Sequence, residues 1–200
     1  DLAEVQPVPF GVDAAWYSVE RRAVINHLPQ RWLVVSRLTH KKLGWLLAWG
    51  ASQFGSGREL HLFGPNQDGL TLPEWINYHG PTFPRDLRAQ WFPNAAGLIT
   101  LSRHDEGRPQ VVVEAMAAGL PVIASDIPGH ADLIRHGQTG YLVRSAKEFS
   151  CALELLASPR QRQEIGDNAR RWVTNEVGTW RDTAKRYHGL YEKLLNGSRS

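Results

Sequence analysis

The sequence predicts an α/β fold: a doubly wound, Rossmann-like parallel sheet with a helical C-terminal extension. Three observations predict it. From residue 31 onward, short apolar runs rich in β-branched residues alternate with stretches of helical period. Those runs are nearly continuous in apolar character, as strands covered on both faces require. From residue 146 the pattern is wholly helical.

The elements follow in order. Residues 5–13 (VQPVPFGVD) are extended and Pro-rich, and read as a lead-in that stands outside the core. Residues 32–36 (WLVVS) are the first buried strand, and residues 42–54 a helix stopped by Gly55-Ser56-Gly57. A second strand spans 59–63 and closes on Gly64-Pro65-Asn66; a third spans 75–79, before Gly80-Pro81. Residues 83–92 read as a helix and 97–101 as a strand. The helix over 109–118 has Pro109 in its first turn, Gly119 just past its end and Pro121 two residues beyond. Residues 122–124 are a strand, 131–135 a short helix and 140–143 the last strand. Helices over 146–157, 159–175 and 179–195 complete the chain. The reading divides into a lead-in (1–30), a Rossmann-like domain (31–177) and a closing helix with its tail (178–200).

Composition excludes several classes. Two hundred residues with 42% hydrophobic and 22% charged content can bury a full core, which excludes a disordered chain, a collagen and a simple coiled coil. No run approaches the ~20 uncharged apolar residues that span a bilayer. The first thirty residues lack the pattern of a signal peptide. A single cysteine, Cys151, excludes an intrachain disulfide framework and suits a reducing compartment. The net charge of +3 is too small to imply nucleic acid. The eight Trp read as packing residues, and Arg160, Arg162, Arg170 and Arg171 as a solvated helix face.

Open parallel sheets bind ligands beyond the carboxyl ends of their strands, which singles out two loops. The loop after WLVVS carries Arg37 and Lys42; the loop after the 97–101 strand runs from Ser102 to Pro109, at the start of a helix. Unpaired amides at a helix start suit phosphate, here those of Gly107, Gln110 and Val111, since Pro109 has none. Arg37 can grip phosphate oxygens in pairs and Lys42 adds a mobile charge. Glu106 and Glu114 flank the helix start, and carboxylates accept hydrogen bonds from vicinal hydroxyls. A diphosphate beside two hydroxyl-binding carboxylates describes a nucleotide sugar. Singly, each residue is better explained as a surface charge or a helix-terminal group; the joint placement on two strand-to-helix loops shifts the balance towards a site.

The run from Glu106 to Ala124, EGRPQVVVEAMAAGLPVIA, resembles the E-x7-E region of retaining glycosyltransferases of the two-domain GT-B fold, glycosyltransferase family 4. The segment Gly137-Gln138-Thr139-Gly140-Tyr141-Leu142-Val143 and the Arg37/Lys42 spacing are similar to the same pattern. Pro9-Phe10-Gly11-Val12-Asp13 resembles the entry into the second domain, and residues 180–195 the helix that closes it. The resemblance implies that Arg37 and Lys42 hold the donor diphosphate and that Glu114 binds the ribose. It implies that Glu106, Gly107, Arg108, Pro109, Gln110 and Val111 face the transferred sugar and distal phosphate. The nucleobase would lie near residues 80–83. The donor would be UDP- or GDP-linked, with no metal or other cofactor, and catalysis would rest on Arg37, Lys42 and Glu106.

The pattern is not matched throughout. Ser36 stands for a Gly, Leu43-Gly44 for a Gly directly after the Lys, and Asp132 for a Glu, and the 102–106 loop is one residue longer. A glycan or lipid-linked acceptor would belong to a separate N-terminal domain absent from these residues, so the chain alone would transfer little. The expected setting is cell-surface polysaccharide synthesis in the cytoplasm, with peripheral contact at the inner membrane face and no nucleic acid. An epimerase of related architecture and a non-catalytic nucleotide-binding domain are the alternatives.

Overall fold

The computed structural model describes residues 8–22 and 29–197; residues 5–7 of the lead-in therefore lie outside the described part. Six strands form one parallel sheet in the order β3-β2-β1-β4-β5-β6: β1 (Gln30–Val35), β2 (Arg58–Phe63), β3 (Ile76–Gly80), β4 (Ala95–Thr100), β5 (Val122–Ser125) and β6 (Tyr141–Val143). The helices are α1 (His40–Trp49), α2 (Pro84–Asp86), α3 (Gln110–Ala117), α4 (Pro128–Ala131), α5 (Ala146–Leu155), α6 (Pro159–Glu176) and α7 (Trp180–Gly197). This is the doubly wound architecture read from the sequence.

The pleat explains the apolar strands. Trp32 and Val34 of β1 enter one layer, with Leu43 and Leu46 of α1 and Phe149 and Leu153 of α5. Leu33 enters the other, with α3 and the α6 residues Ala169 and Val173. Each fully buried side chain of this kind contributes ~1.5–3 kcal/mol, so both faces must be apolar. Gly119 takes φ +72° just past α3. Its N–H donates to the Met116 carbonyl and that of Leu120 to the Ala115 carbonyl, so two orphan carbonyls of the helix end are satisfied.

Four readings are corrected. The lead-in contributes to the core: Val12 is fully buried, bridges Thr179, and joins Trp16 in the α3–α6 layer. Apolar content decided this over local Pro content. The single helix read over 83–92 is instead α2, a wide π turn over Leu87–Trp91 and a 3₁₀ turn over Phe92–Asn94. Leu87 and Phe92 are both buried, and a five-residue spacing shares one face only if the turn widens. The short helix read over 131–135 starts at Pro128, a residue pre-shaped for a first turn. Of the four arginines read as solvated, Arg162 and Arg170 turn inward. Arg162 is 3% exposed and donates to the Leu156 and Ala157 carbonyls, and Arg170 donates to the Ala117 carbonyl. Among the described residues no helix is long and apolar enough to cross a membrane.

Candidate functional site

The strand order reverses between β1 and β4, so the loops leaving these strands diverge and leave a crevice at their carboxyl ends. Thr39 caps α1: its hydroxyl accepts from the Lys42 N–H at 3.2 Å, which fixes Lys42 in the first turn. The facing loop is tied down onto α1. The Arg103 N–H donates to the Lys41 carbonyl at 2.8 Å and its guanidinium to the Gly44 carbonyl at 3.0 Å. A Cβ on Gly44 would stand 2.6 Å from Arg103 Nε. Glycine one place later than the family pattern thus makes room for the arginine of the longer loop.

The two loops bring together Lys42 and Glu106. Lys42 Nζ donates to Glu106 Oε1, Ser102 Oγ donates to the same oxygen at 2.5 Å, and His104 Nε2 lies 3.8 Å from it. Burial pushes the Glu106 carboxyl up, but the hydrogen bonds from Lys42 and Ser102 outweigh it and hold the group below the ordinary carboxylate value. Arg37, in the loop between β1 and α1 that leads to Lys42, is exposed and forms no side-chain hydrogen bond or ion pair among the described residues.

The start of α4 closes the floor. A Cβ on Gly129 would lie 1.8 Å from the Gly107 carbonyl oxygen and 2.2 Å from that of Glu106. Only glycine permits this backbone contact. The adjacent His130 is fully buried, with Nδ1 2.8 Å from the Ser125 carbonyl. A carbonyl can only accept, so Nδ1 carries the proton and Nε2 presents a lone pair, buried without a partner. Burial lowers the His130 pKa against the opposing Ser125 bond, which keeps the ring neutral.

The remaining predicted residues divide. Gly107 is exposed; Pro109 precedes α3 without a side-chain cap, so the Gln110 and Val111 amides lack intrahelical acceptors. The Gln110 side chain turns away and donates to the Gly11 carbonyl at 3.0 Å, and Val111 packs on the core. Arg108 feels Asp132 and Arg186, and burial lowers its pKa. Glu114 stands apart from the Lys42–Glu106 cluster, on the side of α3 facing Arg88 and Asp13. Burial pushes its pKa up to about 7, with Arg88 opposing and Asp13 adding to the rise. Arg88 is itself shared, 3.8 Å from Asp13 and over the Trp16 ring. Sequence reasoning missed Ser102, His104 and His130. Pro128 after a strand was the available signal for the last, marking a third strand-to-helix loop at the same sheet end.

Known proteins resemble this chain in sequence and in fold. Residues 90–172 match the family model for glycosyl transferases group 1. D-inositol 3-phosphate glycosyltransferase of Gordonia bronchialis is 30% identical over 163 residues, covering 80% of this chain and 34% of that protein. Spore coat protein SA of Bacillus subtilis is 28% identical over 141 residues, covering 68% of this chain and 35% of that protein. The chain thus spans about a third of the curated relatives it matches. Among solved structures, sucrose-phosphate synthase from Thermosynechococcus elongatus superposes with a TM-score of 0.77 at 23% identity, covering 95% of this chain and 52% of that one. Anabaena HepE in complex with UDP-glucose superposes with a TM-score of 0.67 at 20% identity, covering 80% and 49%. The six-stranded parallel sheet with its flanking helices matches the Rossmann-like half of GT-B glycosyltransferases.

Proposed function

We propose that the chain is the donor-binding half of a retaining glycosyltransferase that takes a UDP- or GDP-linked, hexose-type sugar. The observation that carries the reading is the Lys42–Glu106 pair at the sheet's reversal point, with Arg37 exposed on the loop that leads to Lys42. An incoming diphosphate would be gripped by Arg37 and the first amides of α3, and would draw Lys42 from Glu106. Glu106, released from Lys42, would accept hydrogen bonds from sugar hydroxyls. Glu114 would serve the ribose. The cations and helix start would stabilise charge gathering on the departing diphosphate, which is catalysis by electrostatic preorganisation. The leaving phosphate would take the acceptor's proton, and no metal is assigned a role. The glycan or lipid-linked acceptor would be held by another part of a longer protein. Polysaccharide synthesis at the inner face of the cytoplasmic membrane is the setting that fits.

Calorimetric titration of the chain with UDP, GDP, ADP and UDP-glucose tests the reading. The expected result is binding of at least one diphosphate, weakened at least tenfold by Arg37→Ala. Absence of binding to all four, or binding indifferent to both Arg37→Ala and Lys42→Ala, refutes it.

A further inference from the structure

The opposite end of the sheet carries a second basic feature that the donor site does not use. Under the amino ends of β4 and β5 lies a cleft of about 950 Å³, lined by Arg21, Arg22, Arg162 and Arg170 against Glu20 and Asp167. Three of these guanidiniums are fixed from one edge by backbone carbonyls. Arg21 donates to Gly119 and Ala95 at 2.7 Å each, Arg162 to Leu156 and Ala157 at 2.6 and 2.8 Å, and Arg170 to Ala117 at 2.9 Å. Among the described residues none of the three has a carboxylate partner within salt-bridge distance. Carbonyls at helix ends offset part of a cation's charge but do not cancel it.

The arginines of the cleft therefore outnumber its carboxylates, four (Arg21, Arg22, Arg162, Arg170) to two (Glu20, Asp167). Burial, then the neighbouring Arg162, lowers the Arg21 pKa to about 10, with Asp167 opposing. Among the described residues, two N–H groups, Arg21 Nε and Arg162 Nε, are buried with no acceptor, and Arg162 as a whole is 3% exposed. Buried donors left unpaired are destabilising, a cost an anion can relieve. A bare inorganic ion is far smaller than the cleft, whose volume lies at the upper end of the ~300–1,000 Å³ of small-molecule sites.

We propose that this cleft is a second anion site, selective for a phosphate monoester carried on a small organic body. Arg21, Arg162 and Arg170 form its fixed floor. Arg22, exposed at the rim, is its mobile arm. The site is separate from the donor crevice and does not depend on the glycosyltransferase reading. The phosphate could come from a soluble ester or from an anionic lipid headgroup, whose chemistry at the site is the same.

The test uses the full chain titrated with glycerol 3-phosphate, inorganic phosphate, neutral glycerol and vesicles containing phosphatidic acid. Arg22→Glu combined with Gln163→Glu is the informative variant. Both positions are exposed, and the contact of Arg22 with Pro93 is made by its backbone N–H, so the fold is kept; circular dichroism and melting temperature verify this. The expected result is saturable binding of glycerol 3-phosphate, tighter than inorganic phosphate, weakened tenfold or more in the double variant and unchanged in Lys42→Ala. Binding to phosphatidic acid vesicles in place of the soluble ester, with the same loss in the variant, supports the site with lipid as the source. The proposal is overturned if neither phosphate form binds, if glycerol binds as well, if the variant matches the unaltered chain, or if Lys42→Ala abolishes the signal.

Discussion

Replacing Glu114 by Gln separates the stability of this fold from its proposed chemistry. The carboxyl has a pKa of about 7 against 4.5 for an ordinary Glu, chiefly because burial disfavours its charge. The folded state therefore holds the proton more tightly than the unfolded chain does. Stability is highest below pH 4.5 and falls as pH rises towards 7, where the folded group also ionises. At ~1.4 kcal/mol per pH unit the loss approaches about 3 kcal/mol by pH 8. Gln is nearly isosteric and cannot ionise, so Glu114→Gln should recover most of that loss at pH 8 and under ~1 kcal/mol at pH 5. In a domain of this size 1 kcal/mol moves the melting temperature by roughly 2–4 °C, so the expected gain is about 5–10 °C at pH 8. Thermal denaturation of both proteins at pH 5, 6, 7 and 8 measures it. A gain independent of pH, or a loss at pH 8, refutes the claim that burial of charge dominates here. The same variant should weaken nucleotide binding if the carboxylate accepts ribose hydroxyls, the trade expected of a residue kept for function against stability.

Three further predictions concern the crevice. Arg37→Ala should leave the melting temperature within about 1 °C, since Arg37 is exposed and makes no side-chain hydrogen bond or ion pair among the described residues, while weakening diphosphate binding tenfold or more by calorimetry. Glu106→Gln frees Lys42, so nucleoside diphosphate should bind as tightly as before or tighter, while the intact nucleotide sugar loses its advantage over the diphosphate. Because the Glu106 pKa is depressed, its contribution to stability is present above the unfolded value near 4.5 and lost as pH falls through the folded one. Acid melts of Glu106→Gln should accordingly be flatter below pH 4.5. Gly129→Ala drives a methyl to 1.8 Å from the Gly107 carbonyl oxygen, which should cost ~1–3 kcal/mol in urea unfolding and weaken ligand binding by shifting the 106–107 loop; unchanged unfolding and binding would refute the floor contact.

The sheet was legible because its strands are buried on both faces, and burial writes a continuous apolar run that needs no tertiary information. Lys42 and Glu106 were legible for a different reason: each follows a strand that borders the order reversal, so their loops flank one crevice. What local pattern does not carry is which way a polar side chain turns. Glu114 follows Glu106 by eight residues, yet faces Arg88 and Asp13, because it lies within α3, which turns it towards the lead-in, while Glu106 lies in the loop before that helix. Arg162 and Arg170 sit on a helix whose charge suggests solvent, but carbonyls at the ends of α3 and α5 draw them inward. His130 gave no periodic signal at all; its position depends on Gly129 pressing against a loop twenty residues earlier in the chain.

The lead-in has a consequence for how the chain is made. The Gly11 N–H donates to Thr183 Oγ1 at 2.7 Å across a separation of 172 residues, next to the Val12–Thr179 bridge. At the ~5–20 residues per second of protein synthesis, the lead-in waits roughly 10 to 30 s for its partner to leave the ribosome. Throughout that interval the sheet can assemble strand by strand, but the α3–α6 layer stays open where Val12 will sit. The segment that closes the layer is thus made long before its partner, so an apolar seam stays uncovered until α7 begins.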